Sequence, residues 1–325
     1  MFTVNAVKNC SQPNLLDMLY SRYYTDEMAS GFDPHVSSHW AAYSNEFDVR
    51  VQNGEIKSLV GIGFGDLASR GLVRSALAWL CYVTYLVRLP YRLSFLRLLP
   101  RALEVCREMG AAFTFDCFKQ VYALSLVLRH LEHDTPRRFL MIGDGYGFLS
   151  ALVKRVCPSA RVLLVDIGKT LLFQAHTCQT VHPTSTHLDV HAGEDADFIY
   201  CAAEDLELLD YRIDVAINIA SMQEMDPSAI RRYFRFLRSQ LTARNLFYCC
   251  NREQKTLPGG EEVVYADYGW ADEDIHYVDE LCPWYRYFFA RGRARYRLHI
   301  FGMPVPLVHR FGGSCRHRLT TLKLF

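Results

Sequence analysis

Between Arg138 and Cys250 the chain alternates short apolar runs with longer segments of helical period. Phe139–Ile142, Arg161–Asp166, Asp197–Cys201, Ile213–Ile219 and Asn245–Cys250 span four to seven residues each and predict buried strands. Phe148–Val156, Lys169–Thr180 and Pro227–Gln240 predict helices, the last opened by Asp226 as N-cap with Pro227 in its first turn. This strand–helix–strand rhythm predicts an α/β domain. Arg295–Phe301 and Leu319–Phe325 are expected to supply its last two strands, and Phe115–Leu131 is a long helix leading into the first. Before about Gly110 the rhythm is absent. Asn14–Thr25, Gly71–Val87, Tyr91–Leu99 and Arg101–Met109 read as helices, the last two introduced by Pro90 and Pro100, while His39, Trp40 and Phe47 lie in an aromatic-rich connection. The expected organisation is a helical N-terminal region, 1–114, and an α/β domain, 115–325.

The most informative stretch follows the first predicted strand. Gly143, Gly145 and Gly147 alternate there, and a helix starts at once. Glycines allow a tight turn and close approach of backbone to a ligand, and the helix end offers free N–H groups. The next strand ends in Asp166, about 20 residues on, where such folds carry the acid that takes a cofactor's ribose hydroxyls. The other reading is a tight turn that needs glycine for packing only. Dinucleotide sites favour G-x-G-x-x-G, whereas this loop is G-x-G-x-G, which argues against a nicotinamide cofactor. A second G-x-G-x-G, Gly61 to Gly65, has no Asp or Glu between Asp66 and Glu104 and reads as a loop or hairpin turn.

With 325 residues, half of them hydrophobic, the chain can bury a large core. A formal net charge of +1 gives no overall attraction to nucleic acid, but charge is unevenly spread. Residues 67–103 hold six arginines and no acid, the part after Glu280 holds eight arginines and no acid, and Glu261–Glu280 is acidic. A solvated or self-paired surface accounts for such runs better than a polyanion site. The 11 cysteines are odd in number and lack C-x-x-C pairs, which predicts free thiols in a reducing, cytoplasmic setting. No signal-peptide pattern opens the sequence, and Ser75–Val87 is too short to span a bilayer. A core helix is expected there, with peripheral membrane contact through the nearby arginines as the alternative.

Open α/β sheets bind ligands beyond the carboxyl ends of their strands, so candidate chemistry is expected there. After the fourth strand, Asn218 to Met225 gathers Ser221, Gln223 and Glu224. Ser221 with Glu224 also fits a capping box. His187, Asp189 and His191 alternate and would share one face of a strand, a conceivable metal site, but the surrounding Pro183, Thr184, Ser185 and Gly193 read as a surface loop, so no metal is expected. Tyr265 to Trp284 mixes aromatic and acidic residues and suits either an acceptor lid, within an insertion at 256–294, or an ordinary amphipathic segment.

Together, Gly143-Asp-Gly-Tyr-Gly147, Val165-Asp-Ile167, Ile219-Ala-Ser-Met-Gln-Glu-Met225 with Tyr233-Phe234, and Phe247-Tyr248 with Asn251-Arg252 resemble the sugar O-methyltransferase family of class I enzymes dependent on S-adenosyl-L-methionine (SAM). His35 and Ser38-His-Trp40 are similar to that family's N-terminal region. The resemblance implies an α/β, Rossmann-like class I methyltransferase fold with a helical N-terminal region, SAM as cofactor, and transfer of its methyl to a hydroxyl of a sugar or glycosylated small metabolite. It implies cofactor contacts from Gly143, Asp144, Gly145, Tyr146, Gly147, Asp166, Ile167, Ala203, Glu204 and Asn218. Glu224 is the expected general base and Gln223 the residue that orients the acceptor, with His187 or His191 as the second choice of base. The family's usual acid two residues before the first glycine is here Met141, and Asp144 is expected to take over its contact. Alternatives are a non-sugar secondary metabolite (polyketide or peptide) as O- or N-acceptor, and a SAM-binding scaffold without turnover. No nucleic-acid partner is expected, and self-association is left open.

Overall fold

A computed structural model of the chain describes residues 14–25, 37–43, 48–52, 55–60, 72–131, 137–193, 195–283, 299–300, 303–304 and 314–325. In chain order the α-helices are α1 Leu15–Tyr20, α2 Ser38–Tyr43, α3 Leu72–Arg88, α4 Arg92–Glu108, α5 Phe115–Arg129, α6 Phe148–Val156, α7 Gly168–Val181 and α8 Pro227–Gln240. The strands are β1 Asp48–Gln52, β2 Glu55–Val60, β3 Arg138–Ile142, β4 Arg161–Asp166, β5 His187–Asp189, β6 Phe198–Ala202, β7 Ile213–Ile219, β8 Leu241–Arg252, β9 Gln254–Thr256, β10 Glu262–Val264, β11 Ile275–Leu281, β12 His299–Ile300, β13 Met303–Pro304 and β14 Cys315–Thr321.

Eight strands form the central sheet, in the order β11-β14-β8-β7-β3-β4-β6-β5. From β8 to β5 all pairings are parallel, and β14 and β11 close the sheet by antiparallel pairing. This is the Rossmann-like α/β fold with the antiparallel closure that the methyltransferase resemblance implies. Alternate residues of β3 show why its sequence is continuously apolar. Phe139 and Met141 join the core beneath α5, α6 and α7, whereas Leu140 and Ile142 join the core beneath α8. A strand covered on both faces has no position for a polar side chain.

Several expected boundaries are corrected. Among the described residues the last two strands of the central sheet are Ile275–Leu281 and Cys315–Thr321, the second of which begins and ends earlier than the expected Leu319–Phe325. The acidic sequence of β11 masked a strand because β11 is the sheet's edge, where charged residues are tolerated. Its Asp279 pairs with Arg316 at 2.8 Å and Arg318 at 3.0 Å on β14, so part of the acidic stretch neutralises part of the basic tail. The span 256–294 is therefore not one insertion, since 275–281 belongs to the sheet. His187–Asp189, expected in a loop, is a short parallel edge strand. Pro100 does not begin a helix but lies inside α4, whose buried face (Phe95, Leu98, Ala102, Val105) continues across it. The N-terminal region also holds a hairpin, β1 with β2. Gly61 to Gly65 and Trp284 lie outside the described residues, as do His35, Phe47 and most of 295–301.

Cys106, Cys117, Cys157, Cys178, Cys201, Cys249, Cys250, Cys282 and Cys315 are free thiols. Among the described residues no helix is long and apolar enough to cross a membrane.

Candidate active site

β3 has β4 on one side and β7 on the other, so the strand order reverses direction at β3. Such a switch point opens a crevice above the strand ends. Here the crevice is a cleft lined by the loop after β3 (Gly143, Asp144, Gly145, Tyr146), the end of β4 (Asp166, Ile167), Ala203 after β6, and Ile219 to Ser221 with Glu224 after β7. Its other walls are Ser37 and Trp40, the first turns of α5, and Asp226, Ala229 and Tyr233 at α8.

Two of the three loop glycines are fixed by packing as well as by conformation. Gly143 has φ +72°, and a Cβ there would lie 2.0 Å from Ser221 Oγ. Gly147 has φ +82°, and its Cβ would lie 2.9 Å from the Gln174 Cα on α7. The packing requirement is therefore real, and it coexists with a cleft that the loop lines. Ala220 also holds a left-handed conformation, φ +61°, at the cleft wall.

Asp166 is half-buried at the cleft. Its carboxylate accepts from the Ile167 N–H at 2.8 Å and from Gln174 Nε2 at 2.6 Å. Burial pushes its pKa up to about 6 despite these bonds. Tyr146 stands edge-on to Phe173, with ring centres 5.2 Å apart. Asp144 lines the cleft, but its carboxylate turns to α6, accepting from Leu149 N at 3.2 Å and Ser150 N at 2.7 Å. It caps that helix, and burial pushes its pKa up to about 7.

Glu224 lines the cleft with its carboxylate held between two basic partners. Lys255 Nζ is 2.8 Å from Oε1, and His39 Nε2 is 3.4 Å from Oε2. Burial raises its pKa, but His39 and Lys255 outweigh this and hold it below the ordinary carboxylate range. Ser37 donates to its backbone carbonyl, so α2 is anchored at this wall.

Other residues singled out in the sequence serve the frame. Asn218 is fully buried, donating to the Ile142 carbonyl at 2.9 Å and accepting from Asn251 Nδ2 at 2.7 Å, which ties together the ends of β3, β7 and β8. Gln223 accepts from the Arg252 N–H at 2.8 Å and does not line the cleft. Glu204 is exposed and outside the cleft lining, while Ala203 lines it. His187 is stacked on Phe198 and bonded to Tyr200 and His182 beside the far edge of the sheet, away from the cleft. His191 pairs with Asp189 at 2.7 Å, so the alternating trio is split between separate partners. Among the described residues no three His, Cys, Asp or Glu side chains are grouped to hold a metal ion.

Sequence reasoning missed Asp116, Lys119, Gln120 and Asp226, all of which line the cleft. The first three recur at helical spacing on one face of an otherwise apolar helix, a detectable signal. Asp226 occupies the expected N-cap position of α8, but its side chain makes no cap bond, and burial followed by the nearby Glu261 raises its pKa.

No family model matches this chain, and no curated protein matches it. Solved structures similar to it include two cyclopropane synthases, one of them named as from Mycobacterium tuberculosis. That one, MmaA2, is 14% identical over 48% of this chain and 63% of its own, with a TM-score of 0.34. The mycolic acid cyclopropane synthase CmaA1, solved with S-adenosylhomocysteine, is 14% identical over 50% of this chain and 63% of its own, with a TM-score of 0.38. The PH0226 protein of Pyrococcus horikoshii is 13% identical over 63% of this chain and 91% of its own, with a TM-score of 0.38. This chain thus spans less than two thirds of either synthase. Likenesses this distant add nothing to what the strand order itself shows.

Proposed function

We propose that the protein is a SAM-dependent O-methyltransferase acting on a hydroxyl of a sugar or glycosylated small metabolite. The observation that carries this reading is the convergence, in one cleft at the β3/β7 switch point, of the glycine loop with Asp166 and Glu224. The cleft also fits the cofactor through a buried acceptor, Gln120 Oε1, which has no hydrogen-bond partner among the described residues. Asp166 accepts the ribose hydroxyls, the loop after β3 approaches the sulfur-bearing chain, and Ile167 and Ala203 border the adenine. Bound SAM supplies an electrophilic methyl group on a sulfonium. The protein's own tasks are to align the acceptor oxygen and to remove its proton. Glu224 takes that proton at a carboxylate oxygen. Lys255 and His39 keep the carboxylate ionised and oriented, at some cost in basicity. Incubation with methyl-labelled SAM and a panel of free and glycosylated sugars tests the acceptor class. Label in sugar ethers supports it, and label only in non-sugar acceptors replaces it with the secondary-metabolite reading.

Cofactor affinity is expected to depend on pH through Asp166. The ribose hydroxyls bond the ionised carboxylate best, and burial has raised its pKa to about 6 in the free protein. Affinity should therefore be constant above that pH and fall as pH drops through it, by up to about tenfold per unit. Titration of S-adenosylhomocysteine binding against pH checks this, and Asp166→Asn should flatten the profile. Asp166→Ala should weaken binding by about 1–3 kcal/mol at neutral pH.

A further inference from the structure

Resting on that cofactor reading, we propose that the amino-acid end of the cofactor is held by one face of α5: Gln120 Oε1 accepts from the α-ammonium, and Lys119 pairs with the α-carboxylate. Three observations lead there. Both positions near the loop that could carry an acid are otherwise disposed: Met141 is a buried methionine, and the Asp144 carboxylate is bonded to the backbone of α6. A different acceptor must then meet the ammonium.

Gln120 supplies one. Its Oε1 is buried and accepts no hydrogen bond among the described residues. Gln120 lines both the cleft and a small neighbouring cavity that it shares with Met141, Ile142, Gly143 and Ile219, at the ends of β3 and β7. A buried acceptor without a donor is costly, and a ligand N–H removes that cost.

The charge pattern also matches a zwitterion. Asp116, Lys119 and Gln120 sit at i, i+3 and i+4, share one helix face and all line the cleft. Asp116 forms an ion pair with Lys119. Burial lowers the pKa of Lys119, and Asp116 more than restores it, so the ammonium stays charged. The face thus presents a fixed cation beside a neutral acceptor and an anion, the complement of an α-carboxylate beside an α-ammonium.

Calorimetry on the full chain with two probes tests the assignment. S-adenosylhomocysteine carries the amino-acid end, and 5′-methylthioadenosine lacks it. The wild-type protein should bind the former more tightly. Gln120→Leu and Lys119→Met should each lower its affinity for S-adenosylhomocysteine by about 10- to 100-fold and leave 5′-methylthioadenosine binding unchanged. The 5′-methylthioadenosine measurement also reports whether each variant remains folded. Variants that retain the wild-type preference would overturn the assignment, as would equal loss of both probes. A wild-type protein that binds both equally overturns this assignment alone, whereas one that binds neither overturns the cofactor reading as well.

Discussion

Glu224→Gln is expected to lower turnover by about 100-fold or more, the scale of general-base catalysis, while cofactor affinity and fold are retained. Glutamine keeps the shape and can still accept from Lys255, but it cannot take a proton. The residue's depressed pKa has a consequence for the wild type. Glu224 stays ionised down to acidic pH, so its own titration should not limit the rate near neutrality. Asp226 is the rival on the same wall, with a raised pKa and no cap bond. Asp226→Asn should cost far less than Glu224→Gln in single-turnover rates. The reverse order would move the base to Asp226.

The largest expected effect on stability is at Arg238. Its guanidinium makes two bonds to the Asp274 carboxylate, at 2.9 and 2.8 Å, and a third to the Gly269 carbonyl at 3.0 Å. The Asp274 side chain is 0% exposed and also accepts from the Ala271 and Lys323 N–H groups. The pair therefore joins α8, the approach to β11 and the chain end. Arg238→Met removes the cation and leaves the buried anion, at a cost of about 3–5 kcal/mol. That is a large share of the roughly 5–15 kcal/mol that holds a folded domain together. Denaturant unfolding should show the loss, and Arg238→Met with Asp274→Leu should recover much of it. Burial raises the Asp274 pKa, but Arg238 and the two N–H groups lower it further, so the net shift is downward. Its contribution is present above the unfolded value and lost as pH falls through the folded one.

The inner parallel strands β3, β4, β6 and β7 were legible in the sequence because each is apolar on both faces, whereas the parallel edge strand β5 was not. β4 and β7 match the expected limits, and β3 differs by one residue. Legibility failed where tertiary packing overrides local signals. Pro100 ordinarily starts or breaks a helix, yet the continuous buried face of α4 carries the helix through it. β11 reads as acidic loop because its stabilising partners, Arg316 and Arg318, lie on a strand distant in sequence. In the site, sequence identified which residues follow a strand but not where their side chains turn. Hence Gly143, Gly145, Asp166, Ile167, Ala203 and Glu224 line the cleft, whereas Asn218 and Gln223, from the same polar cluster as Glu224, stitch strand ends together. The polar face of α5 was obscured by the apolar residues that surround it in sequence.

If the cleft at the β3/β7 switch point binds SAM, calorimetric titration of the full chain with S-adenosylhomocysteine and, separately, with NAD will separate the two cofactors. Saturable binding of S-adenosylhomocysteine at one site, weakened by Asp166→Ala, is expected, with no comparable binding of NAD. Binding of NAD without S-adenosylhomocysteine, or binding indifferent to Asp166→Ala, would contradict this expectation.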